Sequence, residues 1–291
     1  MRRGILLCAL ICAADGQSGA PLAFDVASVK PAAPTPGARV SSSMRGGPGT
    51  EDTGRIIFTS VTLMSVLLRA YDVKPYQVTY KTTGPDWLSS ERYDITAKIP
   101  PGATKEQFNL MLQRLMTDRF HLALHHETKE LQGYELVRGK SEPKLKPSSE
   151  AGPNVDPTEA PKTDANGFPQ LSAPGLVMME GVRGTAVVSF LTARAQTLFA
   201  LVDWLSKQFR LPILDKTGLT GKFDFALEFA PQPPGALPPP GSVERLPDAS
   251  DDSGPNLMTA VQQQLGLKLE PRKIPVDILI IDKADKIPTE N

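Results

Sequence analysis

The chain has 291 residues, with Lys+Arg 32 against Asp+Glu 32, His 3 and a formal net charge of +0. That balance gives no electrostatic footprint for nucleic acid or an anionic membrane surface, so neither is expected as a partner. The length points to about two domains, the 40% hydrophobic content leaves material for real cores, and Pro, at 28 residues, is concentrated in particular stretches.

Arg2 and Arg3 precede an apolar run from Ile5 to Ala14 that is too short to span a bilayer. Residues 1–20 therefore read as a signal peptide, with cleavage between Ala14 and Ala20. Both cysteines, Cys8 and Cys12, lie inside it, so the mature chain is expected to lack disulfides, thiolate catalysis and Cys-ligated metals. No later stretch reaches the roughly 20 apolar residues of a membrane span. The expected location is exported, periplasmic or extracellular, with no membrane span in the mature chain.

Residues 21–53 begin with a short strand over 24–29 and continue as an irregular Pro-, Gly- and Ser-rich segment. A first module covers 54–138. Within it a strand is expected at 55–59, and Leu63, Val66, Leu67 and Ala70 have the spacing of an amphipathic helix, with Thr62 as N-cap. Residues 92–99 alternate as a half-buried strand does, 106–120 read as a second helix, and 121–124 and 133–138 as strands. An irregular connector, 139–175, leads to a second module over 176–291.

The second module runs in the same order. A strand at 186–190 is followed by a helix from Thr197 with Leu198, Leu201, Val202 and Leu205 on one face, and by a strand at 222–229. After a Pro-rich insert, 231–255, come a helix over 256–265 and strands at 266–269 and 276–282. The expected fold class is α+β: two similar small modules, each with two helices packed on a mixed or antiparallel sheet, joined by a Pro-rich connector and related by an internal duplication.

Such modules resemble the short βαβ domains at the N-termini of secretins and TonB-dependent receptors, whose Leu-Gly-Leu-x-Leu segment is matched by Leu265-Gly266-Leu267-Lys268-Leu269. A second resemblance rests on several motifs in order: Phe24-Asp25-Val26-Ala27-Ser28-Val29-Lys30-Pro31, Gly84-Pro85-Asp86-Trp87-Leu88, Arg92-Tyr93-Asp94-Ile95-Thr96-Ala97-Lys98, Asp118-Arg119-Phe120-His121-Leu122, the run from Asp215 to Phe225, and Pro288-Thr289-Glu290-Asn291. These resemble the soil-associated family of exported proteins expanded in acidobacterial genomes, a family with no established activity. Some relatives look fused or adjacent to membrane metallopeptidase sensors, which implies a sensory or partner-binding role.

His121, His125 and His126, with Glu127, are the one cluster from which a metal site or general base could be drawn. On a strand, His121, His125 and Glu127 share a face but spread over about 20 Å, too far for one zinc ion, so no metal or cofactor is expected. Asp94 and Asp224, in equivalent strands, read as turn anchors or solvent-side residues rather than a catalytic pair, and the 217–221 segment reads as a tight turn. No Gly-x-Ser-x-Gly or His-Glu-x-x-His stands in the mature chain.

Trp204 reads as core. Trp87, Arg92 and Tyr93 are the binding candidates, since an aromatic beside an arginine in a turn is a common anchor. The favoured function is a non-enzymatic interaction or ligand-binding protein of the cell envelope, whose partner is an envelope protein, a peptide or a polysaccharide. The alternative is a hydrolase or other enzyme of unrecognised type.

Overall fold

The computed structural model describes residues 22–33, 41–81, 86–149, 162–233, 235 and 254–289. The signal-peptide segment, Gly84-Pro85 and most of the 231–255 insert lie outside them.

In chain order the strands are β1 (Val26–Pro31), β2 (Ser43–Gly46), β3 (Arg55–Thr62), β4 (Val78–Tyr80), β5 (Arg92–Lys98), β6 (Ala123–Arg138), β7 (Lys146–Pro147), β8 (Gly175–Arg183), β9 (Ala186–Gln196), β10 (Ile213–Asp215), β11 (Phe223–Phe229) and β12 (Leu267–Lys283). The helices are α1 (Leu63–Ala70), α2 (Trp87–Ser90), α3 (Lys105–Phe120), α4 (Leu198–Phe209) and α5 (Leu257–Leu265), with a 3-10 turn at Pro75–Gln77. The fold is mixed α+β, as expected, and its strands form three four-stranded sheets.

The chain divides into two compact units, each assembled from separate segments. Unit 1 holds residues 1–72, 83–123 and 282–291, and unit 2 holds 73–82 and 124–281. In unit 1 the sheet order is β1-β5-β3-β2, antiparallel throughout. Its inward face is set by alternation: Ile56 and Phe58 on β3 and Tyr93, Ile95 and Ala97 on β5 are buried. Helices α1 and α3 close this core with Leu63, Leu67, Phe108, Leu112, Met116 and Phe120. Thr62 caps α1 by accepting the Ser65 N–H at 3.2 Å, and Thr104 opens α3 with a capping box to Gln107, so both helix starts are written in local sequence.

Unit 2 contains the order β7-β11-β9-β8, again antiparallel. Helices α4 and α5 supply Leu198, Leu201, Leu205, Phe209, Leu257, Val261 and Leu265 to one core cluster with Leu191, Leu227 and Phe229 of the sheet. Trp204 is partly buried against this cluster, its ring centroid 5.9 Å from that of Phe229. The remaining sheet has the order β10-β6-β12-β4. There β10 runs parallel to β6 with Ile213 opposite Tyr134, and β4 runs parallel to β12 with Val78 opposite Leu279.

Three local expectations change. The pairs of short strands expected at 121–124 and 133–138, and at 266–269 and 276–282, are two long continuous strands, β6 and β12. Strand β12 continues through Pro271 and Pro275, which look like breaks in the sequence. His121 is not on a strand. It is the left-handed C-cap of α3, with φ 46 and ψ 37, and α5 also ends in a left-handed C-cap, at Gly266.

The connector also holds order. Lys146 and Pro147 pair with β11, and residues 162–171 fold against the sheet, with Phe168 edge-on to Phe190 at 5.0 Å.

Candidate functional site

Residues Leu176 to Val187 carry three exposed large hydrophobic side chains of unit 2, Met178, Val182 and Val187. Strand β8 pairs with β9 along its whole length, from Gly175 opposite Arg194 to Arg183 opposite Ala186, and the two join through Gly184-Thr185. Among the described residues β9 is its one strand neighbour, so the other edge of a nine-residue strand presents backbone N–H and C=O groups without a ladder. Met178 is 42% exposed, Val182 70% and Val187 52%, and the last two face each other across the hairpin. An apolar edge of this length is a template for another extended chain.

Side chains alternate across this strand, and a cleft flanks it on each face. On one face Met179 and Gly181 lie beside Phe190, which is buried. Gly181 is required there, since a Cβ would come within 2.9 Å of the Phe190 ring. A cleft of about 510 Å³ opens above, lined by the 163–167 loop, Met179 to Gly184 and Phe190. Asp164 shapes that loop: its Oδ1 accepts the N–H groups of Asn166 and Phe168, both at 2.9 Å. The Arg183 guanidinium lies 5.6 Å from the centroid of Phe190, and its Nε meets Glu228 Oε1 at 2.7 Å.

On the other face Met178 and Glu180 border a cleft of about 330 Å³ with Ser189, Gln208, Phe229 and the 231–233 segment. Gln232 Nε2 is buried here with no hydrogen-bond partner among the described residues. A buried amide donor left without an acceptor is costly.

The binding candidates of the sequence lie elsewhere, in unit 1, and do not form one surface. Tyr93 is 3% exposed, its ring is edge-on to Phe120 at 5.0 Å, and its hydroxyl donates to the Lys286 carbonyl at 2.7 Å. Burial, reinforced by the charge of Glu91, pushes this hydroxyl up to about 12. Arg92 donates to Ser42 Oγ at 2.8 Å and to the Ser60 carbonyl at 2.7 Å, so it holds backbone. Trp87 opens the short helix α2 and is half-buried. None of the three lines the unit 1 cleft of about 300 Å³ between residues 23–27 and the C-terminal half of α3.

The histidines are separated as well. His121 Nδ1 lies 2.8 Å from Asp285 Oδ2 in unit 1, and His126 Nδ1 lies 2.8 Å from Asp277 Oδ2 in unit 2. Among the described residues no three His, Cys, Asp or Glu side chains are grouped to hold a metal ion. The hydrogen bond from His121, with the charge of Lys283 adding to it, keeps Asp285 below the ordinary carboxylate range.

Three of the sequence motifs converge around that aspartate. Asp285 N–H donates to the Phe120 carbonyl at 2.7 Å, and Thr289 bonds the carbonyls of Arg119 and Asp118. Lys286 pairs with Glu91 at 2.6 Å. The last described residues are thereby tied to the end of α3.

Asp94 and Asp224 have the same role in their separate units. Asp94 Oδ1 accepts the N–H of Ser60 at 2.8 Å, and Asp224 Oδ1 accepts that of Ala195 at 2.7 Å. Ser60 and Ala195 both have positive φ, 54 and 50, two residues before the N-cap of a helix. Each carboxylate anchors a strained turn from strand into helix. The 217–221 segment is a turn, with Asp215 Oδ1 accepting from both Thr217 N and Oγ1.

The arrangement defines a mixed α+β protein whose α4/α5-backed sheet ends in an open apolar strand between two clefts. Over residues 64–284 the chain matches the model of a family of proteins of unknown function, DUF3738, and it belongs to that family. No curated protein and no solved structure matches it. Among the described residues no helix is long and apolar enough to cross a membrane.

Proposed function

We propose that the chain is an exported, non-enzymatic interaction protein of the cell envelope that takes up an extended segment of a partner protein along β8. The observation that carries this reading is the nine-residue edge with Met178 and Val182 exposed on it. Roughly four or five new backbone hydrogen bonds, at about 1 kcal/mol each, do little more than offset an association cost of at least about 4 kcal/mol. Affinity and choice of partner therefore fall to the side-chain clefts beside the strand. Export rests on the sequence of residues 1–20, and the motif resemblance to soil-associated exported proteins accords with it.

The two halves also read as a duplication. Ser60, Thr62 and Val78 correspond at one constant offset to Ala195, Thr197 and Ile213: the strained turn residue, the helix N-cap and the first residue of a short parallel strand. Tyr134 and His121 correspond at a second constant offset to Leu279 and Gly266, and the pairings Ile213 with Tyr134 and Val78 with Leu279 map onto each other. On this reading the β8–β9 hairpin is where the second half has extended its sheet.

The test is retention of envelope proteins by the wild-type chain and by a Met178→Lys/Val182→Lys double variant, with folding checked by circular dichroism. The reading requires a partner that the wild type retains and the folded double variant loses. Equal retention by both would rule out the β8 edge.

A further inference from the structure

We infer that the segment accepted by β8 carries a basic side chain next to a residue with a side-chain carbonyl, one entering each cleft. This rests on the edge-strand reading above and adds the partner's chemistry. A strand laid beside β8 points successive side chains to opposite faces, and the clefts lie on opposite faces at the same level, since Glu180 borders both.

The larger cleft selects for positive charge. Arg183, the one cation among its described lining residues, is already matched by Glu228 at 2.7 Å. Glu180 has no ion-pair partner among the described residues, and Asp164 uses Oδ1 for its loop's N–H groups. The Asp164 carboxylate thus stands at the mouth with Arg183 already neutralised, Glu180 adds negative charge from the strand edge between the clefts, and Met179 and Phe190 form a floor for an aliphatic stem. An acidic side chain would meet like charge there. In the smaller cleft the buried Gln232 Nε2 lacks an acceptor among the described residues, while Met178 and Phe229 line apolar wall. A Gln or Asn side chain supplies the missing carbonyl and leaves its own NH₂ for Glu180.

The probe is a fluorescein-labelled peptide Val-Thr-Val-Arg-Gln-Val-Thr-Val, compared with versions carrying Glu for Arg or Leu for Gln, by fluorescence anisotropy against the whole chain. Amide hydrogen exchange on residues 175–183 is measured in parallel. The Arg peptide is expected to bind at least ten-fold more tightly than the Glu peptide, with protection of 175–183 and weakening by salt. Asp164→Asn combined with Glu180→Gln is expected to abolish that preference. Asparagine keeps the side-chain oxygen that shapes the loop, so the variant tests charge rather than folding. The Leu peptide is expected to bind several-fold more weakly than the Gln peptide.

Equal binding of the Arg and Glu peptides with 175–183 protected overturns the basic specificity and leaves the edge reading standing. Failure of every peptide to protect 175–183 overturns both. A concentration-dependent self-association that Val182→Lys removes makes a second copy the occupant, and overturns the peptide assignment.

Discussion

The unit 1 sheet and the α4/α5-backed sheet of unit 2 end in different ways. In unit 1, β2 is four residues long and turns away through Gly46 and Gly47, both at positive φ. Gly46 is obligatory, because a Cβ would lie 2.0 Å from the Arg55 carbonyl oxygen. The opposite edge, β1, is six residues and closes with Lys30 and Pro31, which discourage further pairing. In unit 2, β7 is two residues ending in Pro147, whereas β8 has nine residues with neither Pro nor Lys. Three of these edges are short or blocked in the ways proteins use against unwanted pairing, and the fourth is long, apolar and flanked by clefts. The proposed interaction surface rests on that contrast.

That contrast can be broken or sharpened by substitution. The largest effect belongs to the core that holds the open edge in place: Leu205→Ala, at a fully buried position on α4, is expected to cost about 2 to 5 kcal/mol in chemical denaturation. Next come the paired carboxylates. Asp224→Ala, which removes the acceptor of the Ala195 N–H, is expected to cost about 1.5 to 3 kcal/mol, and Asp94→Ala less, about 1 kcal/mol, because that site is exposed. Equal losses at the two would mean that solvent does not substitute for the Asp94 carboxylate.

Tyr93→Phe removes the hydrogen bond to Lys286 and is expected to cost about 1 kcal/mol. In the wild type one tyrosine is expected to ionise late, near 12, in an ultraviolet titration. Because the folded state holds that proton more tightly than the unfolded state, stability is present below about pH 10 and declines as pH rises toward 12. Asp285 works in the opposite direction. Its pKa is lowered on folding, so its contribution is present above the unfolded value of about 3.9 and is lost as pH falls through the folded value. Asp285→Asn is expected to flatten the acid limb of a stability profile there. The smallest effect on folding is that of Val182→Lys, within about 0.5 kcal/mol at so exposed a position, while its effect on binding is expected to be complete.

Much of the fold was legible where local chemistry decides it. The Thr62 N-cap, the α1 and α4 stripes and the alternation of β5 and β11 all follow from residue type and spacing. Strand β8 was missed because Leu176 to Met179 is a continuous apolar run without alternation and follows a Pro-rich stretch, although Gly184-Thr185 between Val182 and Val187 is a hairpin signal. His121 was misplaced because a left-handed C-cap is normally written as glycine, as it is at Gly266, and nothing in the pattern marks a histidine in that role. The clefts were illegible for a different reason. They join residues 163–167, 179–184 and 231–233, which only the fold brings together.

On the function proposed above, β8 is the binding edge. Amide hydrogen exchange across Gly175–Arg183, read on the whole chain with and without the Arg-bearing peptide, tests it most directly. Exchange on β8 is expected to slow when the peptide is added and to remain fast with the Glu-bearing peptide at the same concentration. Peptide binding that leaves β8 unchanged and protects another strand would contradict it.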